Sequence, residues 1–246
     1  MFKRDLYFSC PLMNAAGTLG FAPDPRLPLD WAQFGAFVTN PLSWMPRQPA
    51  ANPAVVEFAG GFLLHSGLPN PGLPTALKRY ARAWKRSALP IVIHLMADRP
   101  EETLRMVRLL EGVDNVMAVE FGFAPQLAGD IIVLAVEMCQ GELPIIVCLP
   151  PEQVLALGPQ VMDAGAAAVS LGAPRGMLGD VTGRLYGPGL LAQSLLVARD
   201  AARLGLPVIS AGGVYARQDV DAMLAAGALA VQVDAALWRG AFSLAA

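Results

Sequence analysis

The feature that most constrains this chain is a strand-like segment that recurs along it. Leu89-Pro90-Ile91-Val92-Ile93-His94, Leu143-Pro144-Ile145-Ile146-Val147-Cys148 and Leu206-Pro207-Val208-Ile209-Ser210-Ala211 share one opening, a proline followed by branched apolar residues. Proline is tolerated at the first residue of a strand, so each segment reads as a strand that begins there. A second pattern alternates with the first: Val116-Met117-Ala118-Val119-Glu120-Phe121, Ala167-Ala168-Val169-Ser170-Leu171 and Leu229-Ala230-Val231-Gln232-Val233. Helices are predicted at 100–111, 127–140, 151–164, 188–204 and 217–226, three of them ending near Gly141, Gly165 and Gly227 as C-caps. Continuous apolar strands alternating with helices imply a parallel sheet covered on both faces. Residues 11–16 and Ala36-Phe37-Val38-Thr39 supply two more strands, eight in all. Eight such units in about 250 residues is the size of a TIM (β/α)8 barrel. A doubly wound open sheet is the alternative. The barrel is preferred because the alternation runs to the end without a break in composition. The expected fold is therefore α/β, one compact barrel domain over 1–246. Its C-terminal end is shortened, since only residues 239–246 follow the last strand.

The chain has 246 residues, 54% of them hydrophobic and 15% charged, which permits a sizeable core. A mean hydropathy of +0.46 raises the question of a membrane. No uninterrupted apolar run reaches the roughly 18 residues a transmembrane helix needs. Ser9, Pro11 and Asn14 interrupt the segment after the basic start, so a signal peptide is not expected. A net charge of −2 gives no electrostatic footprint for nucleic acid. Cys10, Cys139 and Cys148 are an odd set without metal spacing, which favours a reduced, cytoplasmic setting and no metal site.

A barrel places its site at the C-terminal ends of the strands. That face collects residues 14–18, Asn40, His94, Gly122, Cys148, Gly172, Gly212, Gly213 and Asp234. It also collects the stretch LLHSGLPNPG at 63–72, whose glycines and prolines exclude a helix or an inner strand and read as a loop over the mouth. His94 aligns with Cys148 in the repeat, so both face the lumen. Glu120 aligns with Ser170 and Gln232, one layer below the rim, where a carboxylate must be paired or protonated.

Taken together these segments resemble the dihydroorotate dehydrogenase family, in order and over nearly the whole chain. LMNAAGTLG at 12–20 is similar to its flavin-side first loop, GAFVTN at 35–40 to its second strand, and SGLPNPG at 66–72 to its substrate loop. GRLYGPG at 183–189 resembles its Gly-Gly-Leu-Ser-Gly-Pro segment. ISAGGV at 209–214 and GALAVQVDAALW at 227–238 resemble its phosphate grip. The resemblance implies an FMN-dependent oxidoreductase with a small-molecule substrate. It implies cofactor contacts from Ala15, Ala16, Gly17, Thr18, Asn40, His94, Cys148, Gly183, Gly212, Gly213, Asp234 and Ala235, and substrate contacts from Gly67, Leu68 and Asn70.

The chemistry-bearing positions differ from the family's. Gly122-Phe123-Ala124-Pro125-Gln126 holds no base where the family has one. Asn40 and Cys148 stand where it has lysines, and Leu64 and Gly172 where it has substrate asparagines. Asp234 stands where a glycine adjoins the flavin phosphate. Orotate chemistry by the family's route is therefore not expected. His65 is the candidate replacement base, with an ordinary loop histidine as its alternative. Arg175 and Arg184 are candidate compensating charges, and the basic run Lys78, Arg79, Arg82, Lys85 and Arg86 reads as a solvated helix face. Two functions follow: an oxidoreductase acting on something other than dihydroorotate, or a barrel without redox chemistry that binds a phosphorylated ligand or serves as a partner subunit; an authentic dihydroorotate dehydrogenase is a third option, ranked behind both. No nucleic-acid or membrane partner is expected, and a homo-oligomer is left open.

Overall fold

A computed structural model describes residues 5–242; the first and last four residues, with the basic start and the end of the last predicted unit, lie outside the described residues. The chain opens with β1 (Leu12–Asn14), β2 (Phe37–Val38), the hairpin β3 (Ala54–Phe58) and β4 (Gly61–His65), and α1 (Leu73–Arg86). There follow β5 (Ile91–Met96), α2 (Pro100–Leu110), β6 (Val116–Gly122), α3 (Gly129–Met138), β7 (Ile145–Leu149) and α4 (Pro151–Asp163). The remainder is β8 (Ala168–Leu171), the hairpin β9 (Arg175–Leu178) and β10 (Val181–Tyr186), α5 (Leu191–Arg203), β11 (Val208–Ala211), α6 (Arg217–Ala225), β12 (Ala230–Val233) and α7 (Ala235–Trp238).

Eight strands form one parallel sheet in the order β1-β12-β11-β8-β7-β6-β5-β2, and a bridge between Met13 and Ala36 joins its two edges. This is the expected TIM barrel, and the open sheet is excluded. The predicted helices form within a few residues of their expected bounds. Their starts follow ordinary end chemistry: α2 opens on Pro100 with Glu101 and Glu102 in its first turn, where carboxylates meet free N–H groups. Gly165 and Gly227 close α4 and α6 with positive φ, as C-caps do, whereas Gly141 does not adopt that conformation. Trp84 anchors α1: it is fully buried, and its indole N–H donates to the Phe21 carbonyl at 2.7 Å. The five basic residues of that helix are exposed, the solvated face expected.

The period-two alternation of the strands builds the lumen in layers. Val92, Ala118, Ile146, Ala168, Ile209 and Ala230 fill an apolar lower layer with Met13. Burying each of its larger side chains, Val92, Ile146, Ile209 and Met13, stabilises the fold by roughly 1.5–3 kcal/mol. Two residues further along the same strands stand His94, Glu120, Cys148, Ser170, Ala211 and Gln232. The upper layer of the lumen is thus mostly polar.

One expectation is corrected. Residues 63–65, read as the start of the loop, belong instead to strand β4, an inner strand of a second, antiparallel sheet ordered β3-β4-β10-β9. The breakers lie beyond it: Gly67 has positive φ, and a Cβ there would strike the backbone of Ala50. Within the sheet, Gly183 lets β10 approach β4, since its Cβ would overlap the Leu64 carbonyl. The two hairpins, inserted after the second and sixth barrel strands, wall the C-terminal mouth.

Candidate functional site

The barrel mouth encloses a cavity of about 370 Å³ that runs from the polar lumen layer to the hairpin wall. Its floor is a buried network on one carboxylate. His94 Nδ1 donates to Glu120 Oε2 at 2.6 Å, while Ser170 Oγ and Gln232 Nε2 each donate to Oε1 at 2.7 Å. His94 and Glu120 face each other because they are register partners on β5 and β6. Burial alone raises the pKa of Glu120, but the His94 contact and the two other donors outweigh it and hold the carboxyl below its ordinary value. With Nδ1–H committed to Glu120, Nε2 of His94 is left as the proton-accepting atom. It has room because residue 122 is glycine: a Cβ there would collide with Nε2. A histidine held by a carboxylate, with its second nitrogen on a cavity wall, is a group suited to moving a proton.

Cys148 shows a strip of surface to the same cavity, yet burial and then the Glu120 charge push its thiol up to about 12. It stays a thiol and is not a nucleophile. Above the floor, β9 and β10 bring Arg175 and Arg184 directly opposite each other. Desolvation and the neighbouring Arg184 charge both lower the pKa of Arg175. Like charges set across a strand pair repel, so this wall favours an anion between them. Arg47 adds a third cation to the lining and holds the Gly67 carbonyl through Nε at 2.5 Å.

Asp234 marks the opposite end. It is 4% exposed, and its carboxylate accepts the Ala235 N–H at 2.5 Å, capping the short helix α7. Burial, only partly offset by the Ala235 and Asp234 backbone donors, pushes its pKa up to about 6. Arg239 does not neutralise it: that guanidinium bonds Glu57 at 2.8 Å and stacks on Phe62.

The structure brings Ala15, Ala16, Gly17, His65, Gly67, Leu68, His94, Cys148, Gly183 and Asp234 to the cavity wall. Thr18, Asn40, Asn70, Gly212, Gly213 and Ala235 are outside that lining. Thr18 Oγ1 donates to the Ala15 carbonyl at 2.7 Å and folds the first loop. Asn40 accepts from the Gly20 amide at 3.1 Å. Asn70 accepts from the amides of Gly72 and Ser43 and donates to the Leu68 carbonyl, so it organises its own loop. Sequence reasoning singled out Glu120 as paired or protonated; its partner on the next strand was not identified. It also missed Arg47 and Tyr186. For Arg47 no local signal existed, because the contact with Gly67 is made by a loop 20 residues away.

The sequence resemblance implies FMN as the cofactor. Its phosphate would belong at the loops after the seventh and eighth barrel strands, where barrels commonly hold phosphate. The amides of Gly212 and Gly213 donate no hydrogen bond among the described residues, which leaves half a cradle. The other half is taken: the Ala235 N–H already serves the Asp234 carboxylate, and that carboxylate is buried in place of an anion. The residues present do not fit a phosphate at this end.

A family model described as dihydroorotate dehydrogenase matches residues 4–135. The chain is 29% identical over 254 residues to a dihydroorotate dehydrogenase B (NAD(+)), catalytic subunit, of Pelobacter propionicus, covering 92% of this chain and 83% of that protein. It is 30% identical over the same shares to the protein so named from Citrifermentans bemidjiense. With the one from Pyrococcus abyssi it shares 27% identity, over 96% of this chain and 87% of that protein. No helix among the described residues is long and apolar enough to cross a membrane.

Proposed function

This chain belongs to the dihydroorotate dehydrogenase family, and on that footing we propose that it is a single-domain oxidoreductase of that kind acting on a small anionic molecule other than dihydroorotate. The observation that carries this reading is the His94–Glu120 pair on the cavity floor. Oxidising a C–C single bond to a double bond removes a hydride, which would pass to a flavin ring as the two-electron acceptor, and a proton, which needs a positioned acceptor. The loop position of Ala124 supplies none: that residue has no titratable atom, and its N–H is held by Asp98 Oδ1 at 2.6 Å. His94 Nε2 supplies one, with Glu120 fixing the tautomer and orientation of the ring. Arg175 and Arg184 orient the anionic group of the substrate at the wall. Leu64 and Gly172 offer no partners to the polar edge of a pyrimidine, and unpaired buried polar groups weaken binding. His65 is the second candidate base, on β4 at the cavity wall.

A second reading, a barrel that binds a ligand or a partner subunit without redox chemistry, draws on Asp234. The same carboxylate argues against a phosphorylated ligand in it.

The test is anaerobic incubation of flavin-loaded protein with a panel of small cyclic and unsaturated carboxylic acids, dihydroorotate included, while following the visible flavin band. Bleaching by a member other than dihydroorotate, slowed about 10²–10⁴-fold in His94→Ala, supports the reading. Bleaching by dihydroorotate, or bleaching insensitive to His94, removes it.

A further inference from the structure

The phosphate end of this barrel carries a negative charge of its own. Asp234 is buried, it has no ion-pair partner among the described residues, and its carboxylate holds the amide that a bound anion would otherwise take. A phosphate monoester brought there meets a like charge in a poorly solvated place, where repulsion is far stronger than in water. An alcohol meets a free carboxylate lone pair and donates to it, forming a charge-assisted hydrogen bond. The cavity lining includes the small residues Ala15, Ala16, Gly17 and Gly183.

We propose that Asp234 makes this end of the cavity exclude phosphate and accept a hydroxyl, so that the flavin this site takes is the phosphate-free one, riboflavin in preference to FMN. The flavin part of this proposal rests on the oxidoreductase reading above; the exclusion of phosphate rests on Asp234 alone.

The experiment is titration of the flavin-free protein with riboflavin and with FMN at pH 8, followed by quenching of flavin fluorescence. It is repeated with Asp234→Gly, which frees the Ala235 amide, and Asp234→Asn, which keeps an acceptor for that amide and removes the charge. The second variant covers a failure of the first to fold, checked by circular dichroism. The wild type is expected to bind riboflavin at least about tenfold more tightly than FMN. Asp234→Asn narrows the gap by removing the charge, and Asp234→Gly narrows it further by also freeing the Ala235 amide. If the wild type binds neither flavin while a variant gains FMN, the exclusion stands and the oxidoreductase reading falls. Wild-type binding of FMN as tight as that of riboflavin, or FMN affinity unchanged in both variants, overturns the proposal.

Discussion

His94 and Glu120 stand opposite each other on neighbouring barrel strands, Nδ1 to Oε2 at 2.6 Å, both side chains nearly inaccessible to solvent. The pair is saturated on the carboxylate side by Ser170 and Gln232 and open on the imidazole side toward the cavity. That asymmetry suits a proton-moving group, and it makes Glu120 a residue whose loss is felt twice.

Glu120→Ala leaves His94, Ser170 and Gln232 without their common acceptor in a buried layer. Removing one partner of a buried pair costs about 3–5 kcal/mol, so the urea midpoint should fall well below that of the wild type. The sign with pH follows from the direction of its shift. Glu120 titrates below its ordinary value in the folded protein, so its contribution is present above about 4.5 and is lost as pH falls through the lower folded value. Glu120→Gln should therefore be less stable at pH 7 yet flatter in acid. Equal acid limbs would show that the pair does not form.

Gly122→Ala tests the room given to the imidazole. The added methyl group meets His94 Nε2, so the ring must turn or the strands must part. Overpacking of this kind costs about 1–3 kcal/mol. The imidazole nitrogen resonances of His94 should shift, with those of His65 unmoved. Unchanged His94 resonances would contradict the geometry of the cavity floor.

Much of the barrel was legible because its signal is local. Proline followed by branched residues marks three strands, and period two places His94, Cys148, Glu120, Ser170 and Gln232 in the lumen. The hairpin sheet was not legible. β4 lies between Gly61 and Gly67 and pairs with β10 some 120 residues later, so nothing near Leu64 announces Arg184 as its partner. β3 exposes Val55 and Phe58 and carries no clean alternation of burial. The His94–Glu120 pair lay between these cases. The repeat put both residues in the lumen, but their meeting depends on the register of β5 against β6, which includes an irregularity between Ile91 and Val92.

Asp234 carries the opposite sign from Glu120. Its folded pKa is raised from 3.8 to about 6, so the folded state loses stability as pH rises through that window and carries the full penalty above it. A shift of that size corresponds to about 3 kcal/mol. Asp234→Asn should unfold at higher urea than the wild type at pH 8, with the difference gone near pH 4. A variant less stable than the wild type at pH 8 would mean that the cap on Ala235 outweighs the buried charge.

What reduces the site decides its function. The direct measurement is anaerobic mixing of flavin-loaded protein with dihydroorotate, watching the visible band over minutes. Ala124 offers no base, and Leu64 and Gly172 offer no partners to the ring edge, so the band is predicted to stay and dihydroorotate to show no saturable binding. Rapid bleaching that saturates with dihydroorotate would contradict the account, and its loss in His65→Ala rather than His94→Ala would move the base from the cavity floor to the hairpin wall.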